Sequence, residues 1–117
     1  MDYFEQSPVV CLVNGQLQNS FSIYDRGFHY GDGVFETIAL KNYHLEFWDL
    51  HLERLKRGCQ KLNIPFNDEA LLQHEISSLA AHCQEGVIKI IITRGQSGRG
   101  YQPSQNPEAS RYVICYP

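Results

Sequence analysis

The chain has no excess of basic charge: 10 Lys and Arg stand against 13 Asp and Glu in 117 residues, a net charge of -3. Without a positive field to concentrate phosphate backbone, nucleic acid and anionic membrane are poor candidates as partners, and a small-molecule substrate is the better expectation. Long apolar runs are missing as well. No stretch approaches the roughly 20 apolar residues that span a bilayer, and the first ten residues carry Asp2 and Glu5 where a secretory leader carries Lys or Arg. The expected location is the cytoplasm. Cysteine is sparse: Cys11, Cys59, Cys83 and Cys115 form no CxxC pair and have no histidine at zinc spacing, so they are expected to serve as small buried hydrophobes, with no metal. Repeats and low-complexity segments are absent. So are a nucleophile elbow, an HExxH pair and a Walker loop, and GFHYGDG has the wrong spacing for a dinucleotide fingerprint.

What is present is enough for one compact core. Hydrophobic residues make up 43% of the chain, which carries seven Tyr, six Phe and one Trp, so a single globular domain is expected over residues 1–117. Val9 to Val13 is β-rich, and Asn14-Gly15 before Gln16-Leu17-Gln18 is a strong hairpin signal, because both turn positions need positive φ. After the compact segment Asp25 to Gly33, the run Val34 to Leu40 puts Val34, Glu36, Ile38 and Leu40 on one strand face and Phe35, Thr37 and Ala39 on the other. A turn near Asn42 returns the chain through His44 to Phe47. From Asp49, placed to cap a helix, Leu52, Leu55, Cys59 and Leu62 form an amphipathic stripe that Pro65 must end. A second helix is expected from Asn67 to Gly86, turning Leu72, Ile76, Leu79 and Cys83 inward. Val87 to Thr93 reads as a central strand, then a glycine-rich loop from Gly95 to Pro107, then a last strand from Arg111 to Tyr116. The order predicts an α+β fold, an antiparallel sheet with two helices packed on one side.

Four arginines fall at element ends or in loops: Arg26, Arg54, Arg94 and Arg99. Arg54 lies on the flank of the first helix, about 120° from the centre of the leucine stripe, where an anion site is permitted but not demanded. Arg99, between Gly98 and Gly100, can offer a planar fork to a carboxylate, or can belong to a plain surface loop. In Asp25 to Thr37, three glycines within seven residues are interleaved with Asp25, Arg26, His29, Tyr30 and Asp32. That density fits either a structured turn with internal ion pairs or a polar site.

DRGFHYGDGVFET (25 to 37), HLERL (51 to 55) and ITRGQSGRGY (92 to 101), in that order, resemble the amino-terminal domain of the fold-type IV pyridoxal-phosphate enzymes. The resemblance implies pyridoxal 5'-phosphate as cofactor, with Arg54 binding its phosphate. It implies that Tyr30 and Phe35 belong to the aromatic wall of the substrate pocket and that Arg99 receives a substrate carboxylate. The GRGY form of the last motif and the short hairpin after GDGVFET are most similar to the branch of the family that converts 4-amino-4-deoxychorismate to p-aminobenzoate and pyruvate for folate synthesis. A D-amino acid or branched-chain aminotransferase is the nearest alternative, and a stand-alone, non-catalytic binding domain is another. The family's Schiff-base lysine lies on a strand of a second domain, whereas Lys41, Lys56, Lys61 and Lys89 all fall in the first. The resemblance therefore implies an amino-terminal piece, with no catalytic residue of its own and inactive alone, and a homodimeric complete enzyme.

Overall fold

The computed structural model describes residues 9–96 and 108–117. The elements are β1 (Val10–Val13), β2 (Gln16–Leu17), α1 (Arg26–Tyr30), β3 (Gly33–Lys41), β4 (His44–Leu45), α2 (Trp48–Leu62), α3 (Glu69–Cys83), β5 (Gly86–Thr93) and β6 (Ser110–Tyr116). They build one six-stranded sheet in the order β2-β1-β6-β5-β3-β4, antiparallel at every pairing. The α+β expectation holds, with β5 central between β3 and β6.

Both hairpins turn through left-handed residues, Asn14 (φ 50) with Gly15 (φ 83), and Asn42 (φ 49) with Tyr43 (φ 68). Those conformations match the strand twist and fix the register, pairing Leu12 with Leu17 and Leu40 with Leu45. Along β3 the side chains alternate as the sequence predicts: Glu36, Ile38 and Leu40 are buried, Phe35 and Thr37 exposed. The buried face meets both long helices. Helix α2 lies along β3, while α3 packs on β6 and β5. Ile38, Leu55, Leu72, Ile76, Ile88, Ile90, Ile92 and Val113 close the core between sheet and helices. A Cβ at Gly58 would stand 2.8 Å from Val34 Cγ1, so a glycine there lets α2 approach β3 more closely than any other residue would.

Several local expectations are corrected. The cap position of α2 is Phe47 in the left-handed region, not Asp49, which sits in the first helical turn and there still complements the positive end of the dipole. Helix α3 begins at Glu69 with Asp68 before it, rather than at Asn67. Leu62, expected in the buried stripe, is 41% exposed; the helix ends there, the chain turns through Asn63 (φ 55), and Ile64 takes the inward place at 4% exposure. The segment Arg26–Tyr30 forms a short helix that periodicity does not reveal in five residues. Cys83 and Cys115 are brought together as a disulfide pair joining α3 to β6, while Cys11 and Cys59 are free. Partners 32 residues apart in sequence leave no spacing signal. Burial pushes the Cys59 thiol up to about 11, so it remains the neutral packing group expected of it.

Candidate functional site

Glu36 occupies an apolar position. It points from β3 to the same side as Val34, Ile38 and Leu40, and its side chain is only 5% exposed. A carboxylate there must find donors. Helix α2 supplies two from residues three apart, which share one flank of a helix. Arg54 donates from Nε to Oε2 and from Nη2 to Oε1, both at 2.8 Å, a two-point fork. His51 Nδ1 lies 2.6 Å from Oε1, and because a carboxylate only accepts, that nitrogen carries the hydrogen. Burial by itself would raise the Glu36 pKa, but the hydrogen bonds and charges of Arg54 and His51 outweigh it and hold the carboxyl below its usual range. Glu36 in return raises the pKa of Arg54. The pair is therefore ionised at neutral pH.

The Arg54 side chain remains 65% exposed. Its Nη1 has no partner among the described residues. Carboxylate behind and solvent in front leave this guanidinium fixed and open at once.

The densest polar segment is built differently. Asp25 caps α1 by accepting from Gly27 N at 2.7 Å, and accepts also from Thr93 Oγ1 at 3.0 Å and from the Tyr112 hydroxyl. Burial first, and then Asp25, push the Tyr112 phenol far above its ordinary value. Gly31 ends α1 in the left-handed conformation (φ 62). Asp32 Oδ2 then accepts from Arg26 Nε at 2.9 Å and Arg94 Nε at 2.7 Å. Arg94 also donates to the carbonyls of Leu62 and Asn63, tying the end of α2 to the sheet. Burial would raise the Asp32 pKa, yet the bonds from Arg94 and Arg26 hold it below the usual carboxylate range. From Asp25 to Asp32 the segment is a structured turn with an internal ion pair, while Glu36, beyond it on β3, pairs with Arg54 and His51 of α2.

The sequence-predicted residues are not gathered in one cavity. Phe35 is 62% exposed on the sheet face opposite α2 and α3, with Lys89 Nζ 5.0 Å from its ring centroid. Tyr30, 40% exposed, ends α1 with the Arg26 guanidinium 4.6 Å from its ring centroid. Arg99 lies outside the described residues. A cavity of about 470 Å³ between that sheet face and α1 is lined by Phe21, Phe28, Ile91, Tyr112 and Ile114, but not by Arg54, Tyr30 or Phe35. What relates Arg54 to Phe35 is the edge of β3. Strand β4 pairs only with Leu40 and Lys41, so among the described residues no strand pairs with the outer edge of β3 from Val34 to Ile38.

Sequence reasoning missed Glu36 and His51. The signal was available: a lone carboxylate alternating with Val34, Ile38 and Leu40 requires a cation, and His51 and Arg54 stand three apart on one helix.

A family model described as amino-transferase class IV matches residues 33–117. Aminodeoxychorismate lyase of Vibrio harveyi is 42% identical over 92 residues, covering 79% of this chain and 34% of that protein. D-alanine aminotransferase of Bacillus licheniformis is 33% identical over 112 residues, covering 88% of this chain and 40% of that protein. The crystal structure of 4-amino-4-deoxychorismate lyase from Pseudomonas aeruginosa superposes with a TM-score of 0.85 at 37% identity, over 92% of this chain and 39% of that one. The chain thus spans between a third and two fifths of the length of these relatives.

Proposed function

Because the chain belongs to the aminotransferase class IV family, we propose that it is the amino-terminal part of a pyridoxal-phosphate-dependent lyase converting 4-amino-4-deoxychorismate to p-aminobenzoate and pyruvate. The observation that carries the cofactor assignment is Arg54: a guanidinium held by Glu36, two thirds exposed, with Nη1 available. That donor set fits one side of a phosphate, since a guanidinium's fixed N–H groups match phosphate oxygens at two points. The choice of a lyase is supported by 42% identity to one, against 33% to an aminotransferase.

When bound, the cofactor supplies an electron sink for cleavage beside the amine-bearing carbon. This chain's residues bind and orient. Arg54 holds the phosphate at the open edge of β3, Phe35 and Tyr30 present aromatic surface to the substrate, and Arg99 receives a carboxylate of a substrate that carries two. Proton transfer belongs to a lysine of a second domain. Lys41 pairs with Glu46 at 3.4 Å, Lys56 with Glu69 at 3.0 Å, Lys89 lies over Phe35 and Lys61 stands in the last turn of α2; on this reading none of the four is the Schiff-base lysine, and the chain alone has no lyase activity. The complete enzyme is a homodimer.

The test uses the protein of the uninterrupted reading frame, with pyridoxal phosphate and 4-amino-4-deoxychorismate, beside an Arg54→Ala variant. Equal amounts of p-aminobenzoate and pyruvate, reduced in the variant unless cofactor is raised, are expected. Keto acid from a D- or branched-chain amino acid, without p-aminobenzoate, would move the reaction to aminotransfer.

A further inference from the structure

Glu36 is a negative charge placed behind the group proposed to hold a phosphate, and Coulomb's law alone says that it should weaken phosphate binding. Its geometry argues otherwise. Glu36 engages the Nε and Nη2 side of the Arg54 guanidinium through both carboxylate oxygens at 2.8 Å, and the carboxylate is itself fixed by His51 at 2.6 Å. Of the five guanidinium N–H donors, the carboxylate takes two, one from Nε and one from Nη2. The two on Nη1 and the second on Nη2 remain. Because the plane and rotation of the group are set by the two-point fork, those donors face away from the carboxylate, toward the exposed side. An arginine on an exposed helix flank otherwise samples many rotamers, and ordering it would subtract from the binding free energy of whatever it holds. The 5% exposed Glu36 and 17% exposed His51 lie beneath the guanidinium, so an incoming anion meets the cation first.

Resting on the Arg54 reading above, we propose that Glu36, steadied by His51, is a positioning residue that presets the Arg54 guanidinium to receive the cofactor's phosphate group. Charge and positioning then predict opposite signs for one substitution. Glu36→Gln keeps the side chain's shape, removes the negative charge and turns one acceptor into a donor facing the guanidinium. Charge alone makes the variant bind a phosphate more tightly; loss of positioning makes it bind more weakly.

The experiment titrates the apo form of the protein from the uninterrupted reading frame with pyridoxal phosphate and, separately, with pyridoxal, which lacks the phosphate, following cofactor absorbance. Arg54→Ala is expected to weaken pyridoxal phosphate and leave pyridoxal unchanged. Glu36→Gln is expected to weaken pyridoxal phosphate on the order of tenfold, as for outer partners that orient a ligand-holding side chain, again with pyridoxal unchanged. Glu36→Asp, which keeps the charge, should recover part of the loss. Inorganic phosphate should compete less well in Glu36→Gln than in the unaltered protein. Tighter or unaltered pyridoxal phosphate binding by Glu36→Gln, with Arg54→Ala impaired, overturns the positioning role alone. Equal weakening of both cofactor forms overturns it too, because it assigns Glu36 to the fold only. If Arg54→Ala binds both forms normally, the phosphate role of Arg54 falls, and this inference with it.

Discussion

Two arginine–carboxylate clusters flank β3, and they differ in what lies in front of the guanidinium. In the Asp32 cluster, Arg26 and Arg94 have side chains only 7% and 12% exposed, and Arg94 divides its donors between a carboxylate and two helix-terminal carbonyls. In the Glu36 cluster, Arg54 meets a carboxylate on one side and solvent on the other, at 65% exposure. The residue types are the same. The first cluster closes on itself and braces the fold, whereas the second leaves donors unused among the described residues, as the proposed phosphate role requires. Sequence motifs mark both equally, and only the surroundings of the guanidinium separate brace from site.

The sharpest way to break that contrast is to remove each arginine in turn. Arg94→Ala leaves the largely buried Asp32 with one cation and releases the end of α2, and should cost about 3 kcal/mol in urea unfolding. Arg54→Ala leaves the buried Glu36 with His51 alone and should lower the midpoint too, but of the two it alone should weaken pyridoxal phosphate binding; equal weakening by Arg94→Ala would erase the distinction. Thr93→Val tests the brace with little change of volume. It deletes the hydroxyl that donates to Asp25 and accepts from Gly95 N, and should cost roughly 1–2 kcal/mol with cofactor affinity intact. Gly58→Ala tests the site's seating: helix propensity favours alanine by about 1 kcal/mol, but the new methyl meets Val34 at 2.8 Å, and a χ1-stiff valine yields poorly. A net loss of about 1 kcal/mol is expected, together with weaker pyridoxal phosphate binding as α2 lifts from β3.

The smallest effect at neutral pH comes from protonation. Asp32 and Glu36 both have folded pKa values below their ordinary ones. The stability they contribute is complete above the unfolded values near 4 and is lost as pH falls through the folded values. Chemical denaturation across pH 5 to 2 should therefore show a falling midpoint, shallower in Glu36→Gln. Tyr112 has the opposite sign. Its raised pKa contributes stability below about pH 10 that declines as pH rises further, and Tyr112→Phe should flatten that alkaline limb.

Much of the fold was legible because alternation and helical period are local. The strand faces of Val34 to Leu40, the Asn14-Gly15 turn and the inward set Leu72, Ile76 and Leu79 all follow from residues within one element. Where elements end was less legible. Leu62 continues the stripe in sequence, but the helix stops there, with Asn63 capping it in the left-handed region just before Pro65, and Arg94, 32 residues on, bonds its terminal carbonyl. Cys83 and Cys115 likewise meet across 32 residues. In the candidate site, Arg54 was legible through its motif, but Glu36 was read only as one side of a strand. Its meaning depends on which helix the sheet places above it.

The Arg94 bonds also bear on the order in which the molecule assembles. They join Arg94 to Asp32 across 62 residues and to Asn63 across 31, so they can close only after β5 has found β3 and α2 has docked. Contacts of such separation complete late, since loop closure must precede them. Their loss is thus expected to quicken unfolding and to leave the folding rate nearly unchanged. The brace therefore works as a latch that sets the lifetime of the native state rather than the speed at which it is reached.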